Sequence, residues 1–196
     1  VGTDAGNLYK TKKLLTAYDS DSTAAIDLLM SLPACNGRIG STGMCLGGHL
    51  AFRCALDSRI LASVCYFPTD IHDEGLSSTG SDTLVRAGQG EIQGEAVLIF
   101  GVQDGHIVRF CELVYESSHT HIDSRPQPLE GRTKIRSALT NPSIQPPLRL
   151  SFLELQANHA FIRDEMSKGR FDAAISKVCF ELLLETFGRT IGRDLG

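Results

Sequence analysis

Apolar runs and helix-like apolar spacings alternate along this chain. Residues 60–67 and 96–101 are apolar almost throughout, as in parallel strands buried on both faces. Residues 38–42 predict a short, largely buried strand, and the alternating residues 148–156 predict another strand. Apolar spacing and turn signals predict helices over 22–32, 47–56, 129–139 and 171–187. Strands that alternate with helices indicate an α/β fold with a mostly parallel sheet and helices on both faces.

The helical segments also predict which faces are buried. In the first, Ser20 or Ser22 is the expected cap, and Ile26, Leu29 and Leu32 share one face. In the others, the apolar positions are Leu129, Ile135 and Leu139, then Phe171, Ala174, Ile175, Val178 and Leu182. Residues 1–21 and 68–94 are rich in small polar residues, so we expect a loop at 1–21 and a surface loop or small cap at 68–94.

Composition narrows the classes of function. The 196 residues suffice for a single domain, 1–196, and a net charge of −4 gives no support to binding of nucleic acid or anionic membranes. No apolar run approaches the roughly 20 residues of a membrane span. The six cysteines form no CxxC pair, which favours reduced thiols in a cytoplasmic protein over disulfides or a metal site. Because the chain begins with Val1, we also expect that a targeting segment could precede it.

Residues 43–48 (GMCLGG) lie between a predicted strand and a predicted helix. A nucleophile flanked by small residues at such a junction is the elbow pattern of α/β-hydrolases, here with Cys45 in place of serine. Glycines permit the sharp turn, and the following helix N-terminus favours a thiolate. The alternative is a glycine-rich packing turn with a buried cysteine, as we expect for Cys54, Cys65 and Cys179.

Functional groups of a parallel sheet gather at the carboxyl ends of its strands, where Cys45, Asp104 and His159 are found. Their chain order is nucleophile, acid, base, as in α/β-hydrolases. His159 would take the thiol proton, Asp104 would orient the imidazole, and Cys45 would form a thioester. Asp70 and His106 compete for the acid and base roles. His119 and His121 lie in a polar segment and are expected to be solvated.

These residues resemble the dienelactone hydrolase family, and its fungal members especially. Its Gly-x-Cys-x-Gly-Gly elbow matches residues 43–48, its Gly-x-x-Asp loop matches 101–104, and its His-[Gly/Ala]-Phe motif matches 159–161. The resemblance covers most of residues 22–107 and 128–191. It implies hydrolysis of small enol-lactones or esters without a metal or organic cofactor. It also implies an oxyanion amide at Leu46 and a substrate-carboxylate contact at Arg163, whose alternative partner is Asp164 or Glu165. The oligomeric state is not predicted.

The sequence departs from the family pattern twice. About three strands that precede the elbow in the family are absent, and with them the loop that supplies a second oxyanion amide, so we expect an N-terminally truncated domain. Residues 108–127 interrupt the family pattern, which is restored when they are excised. Valine codons begin with GT and one glutamine codon is CAG, and these are the usual ends of a fungal intron. These residues are therefore either a translated, unspliced intron or an ordinary loop insertion.

Two other functions stay open. A glutamine-amidotransferase-like domain also uses a Gly-x-Cys-x-Gly elbow, but it places its acid two residues after the histidine, where this chain has Phe161. A non-catalytic α/β-hydrolase relative that acts as a binding protein is the alternative of a different class. Turnover measured against a Cys45→Ala control separates it from a hydrolase.

Overall fold

The secondary structure alternates between strands and helices. A computed structural model of the chain describes residues 2–104, 128–163 and 169–192. Within these ranges the helices are α1 (Gly2–Lys12), α2 (Leu15–Ser31), α3 (Leu46–Cys54), α4 (Thr83–Gly88), α5 (Pro128–Leu139) and α6 (Ala173–Thr190). The strands are β1 (Ile39–Met44), β2 (Ile60–Tyr66), β3 (Glu95–Gly101) and β4 (Arg149–Leu155). All four predicted strands are therefore present, with ends that differ from the prediction by at most two residues.

The four strands form one sheet in the order β1-β2-β3-β4, and every neighbouring pair is parallel. In register, Gly43 lies beside Cys65, Cys65 beside Leu98, and Leu98 beside Phe152. The predicted α/β class and parallel sheet are confirmed. Because all strands run the same way, their carboxyl ends share one edge of the sheet.

Side chains alternate across β3 between two cores. Leu98 and Phe100 point into a core that also contains Phe52 of α3 and Ile135 of α5. On the other face, the side chains of Val97 and Ile99 pack with Phe161 and with Ile175 and Cys179 of α6. Helices thus cover both faces, as predicted. Each large apolar side chain buried in this way stabilises the fold by about 1.5–3 kcal/mol.

The expected N-terminal loop at 1–21 is wrong, because α1 and the first turns of α2 occupy it. Ser20 lies inside α2, where its hydroxyl donates to the Thr16 carbonyl at 2.8 Å instead of capping the helix. Long-range ion pairs fix these polar helices. Lys10 of α1 bonds Asp70 at 2.6 Å, and Arg53 of α3 bonds Asp19 of α2 through two nitrogens at 2.6 and 2.8 Å.

The predicted helix faces are only partly right. In α2, Ile26 is buried, whereas Leu29 and Leu32 are 44 % and 45 % exposed. In α6 the predicted Ile175 and Leu182 pack against the core, and Ser176, Cys179, Thr186 and Thr190 are buried. Val178 is 56 % exposed, and Phe171 and Ala174 are also exposed. Two neighbouring faces of α6 carry apolar side chains at helical spacing, and the sheet packs against only one of them.

Burial also differs from expectation in two other segments. Strand β1 was predicted to be largely buried, but within the described residues it is an edge strand, and only Ile39 is fully buried. Residues 68–94 are more than a surface loop or cap. They contain α4 and place the side chains of Ile71, Leu76 and Leu84 in the interior.

Several sequence predictions lie outside the described residues. These are the insertion at 108–127 and the histidines His106, His119 and His121. In the part of the chain that the structure describes, no helix is both long enough and apolar enough to cross a membrane.

Candidate active site

Cys45 sits on a sharply turned backbone between β1 and α3. Its φ is 57° and its ψ is −122°, a conformation that side chains other than glycine rarely adopt. The Cys45 N–H donates to the carbonyl of Tyr66 at 3.0 Å, and the Gly48 N–H donates to the Cys45 carbonyl at 2.9 Å. These bonds to β2 and to the first turn of α3 hold the strained residue in place. The strand–turn–helix geometry is that of a nucleophile elbow.

Two of the glycines around Cys45 are required by close backbone contacts. A Cβ on Gly43 would lie 2.0 Å from the Gly47 carbonyl oxygen, and one on Gly48 would lie 2.8 Å from the Tyr66 carbonyl oxygen. Gly47 differs, because a Cβ there would meet no atom within 4 Å. A side chain would therefore collide with the backbone at positions 43 and 48 but not at position 47.

His159 and Asp104 meet at the ends of β4 and β3. The His159 Nδ1 and the Asp104 Oδ2 are 2.7 Å apart, with the histidine 7 % and the aspartate 1 % exposed. The Gln103 N–H donates to the Ala157 carbonyl at 3.1 Å and joins the two loops. A Cβ on Gly101 would lie 2.4 Å from the Ala157 carbonyl oxygen, so glycine is needed where these loops approach each other.

The charges at the site favour a thiolate–imidazolium pair. Burial alone would lower the pKa of His159, but hydrogen bonds to Asp104 and Cys45 raise it to about 9. Burial likewise opposes ionisation of Cys45, yet its pKa is lowered by hydrogen bonds to His159, the Leu46 amide and the Thr69 hydroxyl. Cys45, His159 and Asp104 are thus brought together as the sequence suggested. A thiolate beside an imidazolium is a nucleophile with a proton donor next to it.

An aromatic ring packs against the imidazole and is itself backed by a second ring. The ring of Phe67 meets His159 edge-on at 5.0 Å between centroids and meets Phe161 in the same manner at 5.3 Å. Phe67 is fully buried. These rings keep water from one side of the site, which strengthens the electrostatic interaction between the Asp104 carboxylate and the imidazole.

The competing candidates are placed elsewhere. The Asp70 carboxylate pairs with Lys10 at 2.6 Å, whereas the carboxylate on His159 is that of Asp104. Phe161, at the position of an amidotransferase acid, instead packs in the core. Arg163 is exposed in the loop after His159, with its backbone N–H bonded to the Ala160 carbonyl at 3.0 Å.

The remaining predictions about these side chains have mixed outcomes. Cys65 and Cys179 are buried core residues as expected, whereas Cys54 is only half-buried and bonds Ser22 at 2.6 Å. Asp164 and Glu165 lie outside the described residues. Among the residues that the structure describes, no group of three or more His, Cys, Asp or Glu side chains could hold a metal ion.

Two polar residues near Cys45 were not singled out from the sequence. Thr69 lies three residues after β2, and its N–H donates to the Cys45 carbonyl at 3.3 Å while its side chain lowers the pKa of the Cys45 thiol. His49 lies on α3, whose N-cap is Cys45, and it is fully buried. Burial lowers the pKa of His49 to about 4. The strand-end rule that pointed to Asp104 and His159 applies equally to Thr69, so attention to polar residues after β2 would have found it.

Comparisons with a family model and with a curated relative agree on one protein family. The sequence model of the dienelactone hydrolase family matches residues 3–110. A protein of Saccharomyces cerevisiae named "Putative carboxymethylenebutenolidase" is 47 % identical over 199 residues. The match covers 100 % of this chain and 64 % of the yeast protein, so the chain spans less than two thirds of that relative's length.

Solved structures share the fold at low identity. A dienelactone hydrolase-like promiscuous phosphotriesterase from metagenomic libraries is 16 % identical, with a TM-score of 0.56 over 91 % of this chain and 66 % of that one. A 2,6-dihydroxy-pseudo-oxynicotine hydrolase is 15 % identical, with a TM-score of 0.51 over 89 % of this chain and 48 % of that one. At these identities the likeness concerns the fold alone.

Proposed function

Because the chain belongs to the dienelactone hydrolase family, we propose that it hydrolyses a small lactone or ester through Cys45, His159 and Asp104. The observation that carries the proposal is the bonded series of Cys45, His159 and the buried Asp104 carboxylate at 2.7 Å from the imidazole. A thiol needs an adjacent base to become a nucleophile, and the base needs an acceptor that fixes its tautomer. Both requirements are met at one edge of the sheet.

The reaction proceeds in two halves. The Cys45 sulfur attacks the acyl carbon, a carbon–sulfur bond forms, and the carbonyl electrons move onto oxygen, where the Leu46 N–H donates a hydrogen bond. When this intermediate collapses, the ester carbon–oxygen bond breaks and the leaving oxygen takes the proton of His159. In a lactone the leaving oxygen stays attached to the acyl chain. Water, deprotonated by His159, then cleaves the thioester and releases the carboxylate.

Turnover of a chromogenic ester such as p-nitrophenyl acetate, and of a dienelactone, tests the proposal. Cys45→Ala is expected to reduce the rate at least 10³-fold, to the level of solution hydrolysis. Cys54→Ala, which removes a half-buried thiol outside the triad, is the matched control and should retain activity. Mass spectrometry of a quenched reaction should find the acyl group on Cys45. If wild type and Cys45→Ala hydrolyse both substrates equally, the chain is not a cysteine hydrolase and the non-catalytic alternative stands.

Arg163 is the proposed contact for a carboxylate on the substrate. It is exposed four residues after His159, and a guanidinium can bind a carboxylate through two nitrogens. Arg163→Gln is expected to raise KM for the carboxylate-bearing dienelactone about tenfold and to leave neutral p-nitrophenyl acetate unaffected. Arg149→Gln, at the opposite end of β4, is the control. Equal effects of Arg163→Gln on both substrates would contradict the proposed contact.

A further inference from the structure

Thr69 folds back onto the nucleophile from the segment that follows β2. Its backbone N–H donates to the Cys45 carbonyl at 3.3 Å, and the residue is 7 % exposed. Its side chain also lowers the pKa of the Cys45 thiol. One residue therefore bonds the strained backbone of the elbow and acts on its thiol.

Three hydrogen-bond donors lower the pKa of the Cys45 thiol, and one of them carries a charge. The His159 imidazolium is that one, with Asp104 behind it. The Leu46 amide and the Thr69 hydroxyl are neutral and keep their protons at every pH at which the protein is folded. A hydroxyl aimed at a sulfur favours the thiolate over the thiol, since the negative sulfur is the stronger acceptor.

The surroundings of Thr69 hold it in this position. The adjacent Pro68 packs against the elbow, where a Cβ on Gly48 would lie 3.1 Å from the Pro68 Cα. The buried His49 imidazole lies beside the Thr69 backbone, and its Nε2 is 3.2 Å from the Thr83 hydroxyl. Because these neighbours are interior groups of the fold, the Thr69 hydroxyl is positioned before any substrate arrives.

We propose that Thr69 is a catalytic residue whose hydroxyl stabilises the Cys45 thiolate by a direct hydrogen bond. The inference rests on the proposed function, in which Cys45 is the nucleophile. It assigns a role to a residue after β2, in addition to the triad residues at the ends of β1, β3 and β4. Loss of the hydroxyl should make the thiolate scarcer at low pH without removing the nucleophile.

The test is the pH dependence of Cys45 alkylation by iodoacetamide, followed at the Cys45 peptide by mass spectrometry because the chain has six cysteines. Thr69→Val keeps the shape of the side chain and deletes the hydroxyl. Its alkylation midpoint should move to higher pH, and its rate at pH 6 should fall about tenfold, the factor expected when an ion loses one hydrogen bond. Thr69→Ser retains the hydroxyl and should keep the wild-type midpoint. Thr140→Val, at the exposed end of α5, is the matched control.

Circular dichroism and thermal melting establish that each variant is folded. Thr69→Ala is a second hydroxyl deletion that introduces no bulk, and it must move the midpoint in the same direction. Wild-type midpoints in a folded Thr69→Val or Thr69→Ala variant would overturn the proposal, as would a midpoint in Thr69→Ser that moves as far as in Thr69→Val. Alkylation needs no substrate. A shifted midpoint in a chain that hydrolyses no ester would therefore refute the hydrolase function and leave the thiolate contact intact.

Discussion

Gly43 is the position where the elbow can be tested most directly. In Gly43→Ala the new methyl carbon would lie 2.0 Å from the Gly47 carbonyl oxygen and 2.4 Å from its carbonyl carbon. Contacts below 3.0 Å are essentially never made by real Cβ atoms, so β1 and α3 must separate by about 1 Å. Both clashing atoms belong to the backbone and cannot rotate away. The displacement must therefore reach Cys45, which lies between the two glycines.

The separation has consequences for activity and stability. A displacement of about 1 Å at a reacting group costs roughly 10²-fold in rate. Overpacking of a closed site costs about 3 kcal/mol of unfolding free energy. For a domain of this size that loss lowers Tm by about 6–12 °C. We therefore expect Gly43→Ala to lose at least about 100-fold in ester hydrolysis and to melt earlier.

Gly47→Ala is the matched control, because it adds the same methyl group on the same turn with no atom within 4 Å. Position 47 is inside α3, where alanine is favoured over glycine by up to about 1 kcal/mol, so Tm should be unchanged or higher. Thermal melts, Cys45 alkylation rates and ester hydrolysis are compared in both variants. If Gly43→Ala matched Gly47→Ala in all three, the steric account of the elbow would be wrong.

Three further predictions follow from the charges. Asp104→Asn removes the carboxylate that stabilises the His159 imidazolium by about 2–3 kcal/mol. We therefore expect kcat/KM to fall about 30- to 150-fold. A loss below threefold would contradict the orienting role of Asp104. The pH profile of kcat/KM should be bell-shaped, with an acid limb below the ordinary thiol pKa from Cys45 and an alkaline limb near pH 9 from His159, whereas a rate that keeps rising through pH 10 would exclude the ion pair. His49, with its pKa lowered to about 4, stays neutral in the folded chain while the unfolded chain binds a proton below about pH 6.5, so stability falls as pH falls. Urea unfolding should show that the free energy of unfolding decreases between pH 7 and pH 5 by about 2 kcal/mol less in His49→Gln than in the wild type. Equal decreases in the two proteins would refute the assignment to His49.

The sheet and the meeting of Asp104 with His159 were predictable because their signals are local. Residues 60–67 were assigned as a strand from continuous apolar character, and β2 spans Ile60–Tyr66. A strand buried on both faces has no polar positions that blur its limits. Asp104 and His159 were found because parallel strands place their carboxyl ends at one edge. The His159 Nδ1 and the Asp104 Oδ2 lie 2.7 Å apart because β3 and β4 are parallel neighbours. Parallel strand order can be predicted without knowledge of side-chain packing.

The rest depended on contacts between distant parts of the chain. Helix α1 is polar, and its place in the fold is fixed by the pairing of Lys10 with Asp70, sixty residues away. Thr69 follows a strand, as Asp104 and His159 do, but the sequence does not show that the turn after β2 brings its N–H to the Cys45 carbonyl. Gly47 matches the family motif as well as Gly43 does, yet only Gly43 has backbone atoms in the way of a Cβ. Sequence spacing cannot distinguish these two, because the difference is the distance between β1 and α3.

The ion pair also determines which experiments can detect it. In the unfolded chain between about pH 6.5 and 9, the pair of Cys45 and His159 holds one proton, on the sulfur. In the folded chain, wherever Cys45 is already ionised, the pair also holds one proton, on an imidazole whose pKa is about 9. Equal proton counts give this pair no slope of stability against pH over that range, although the proton has moved from one atom to the other. Over that range the pH dependence of unfolding therefore does not detect the thiolate. Alkylation and turnover, which depend on where the proton lies, report it directly.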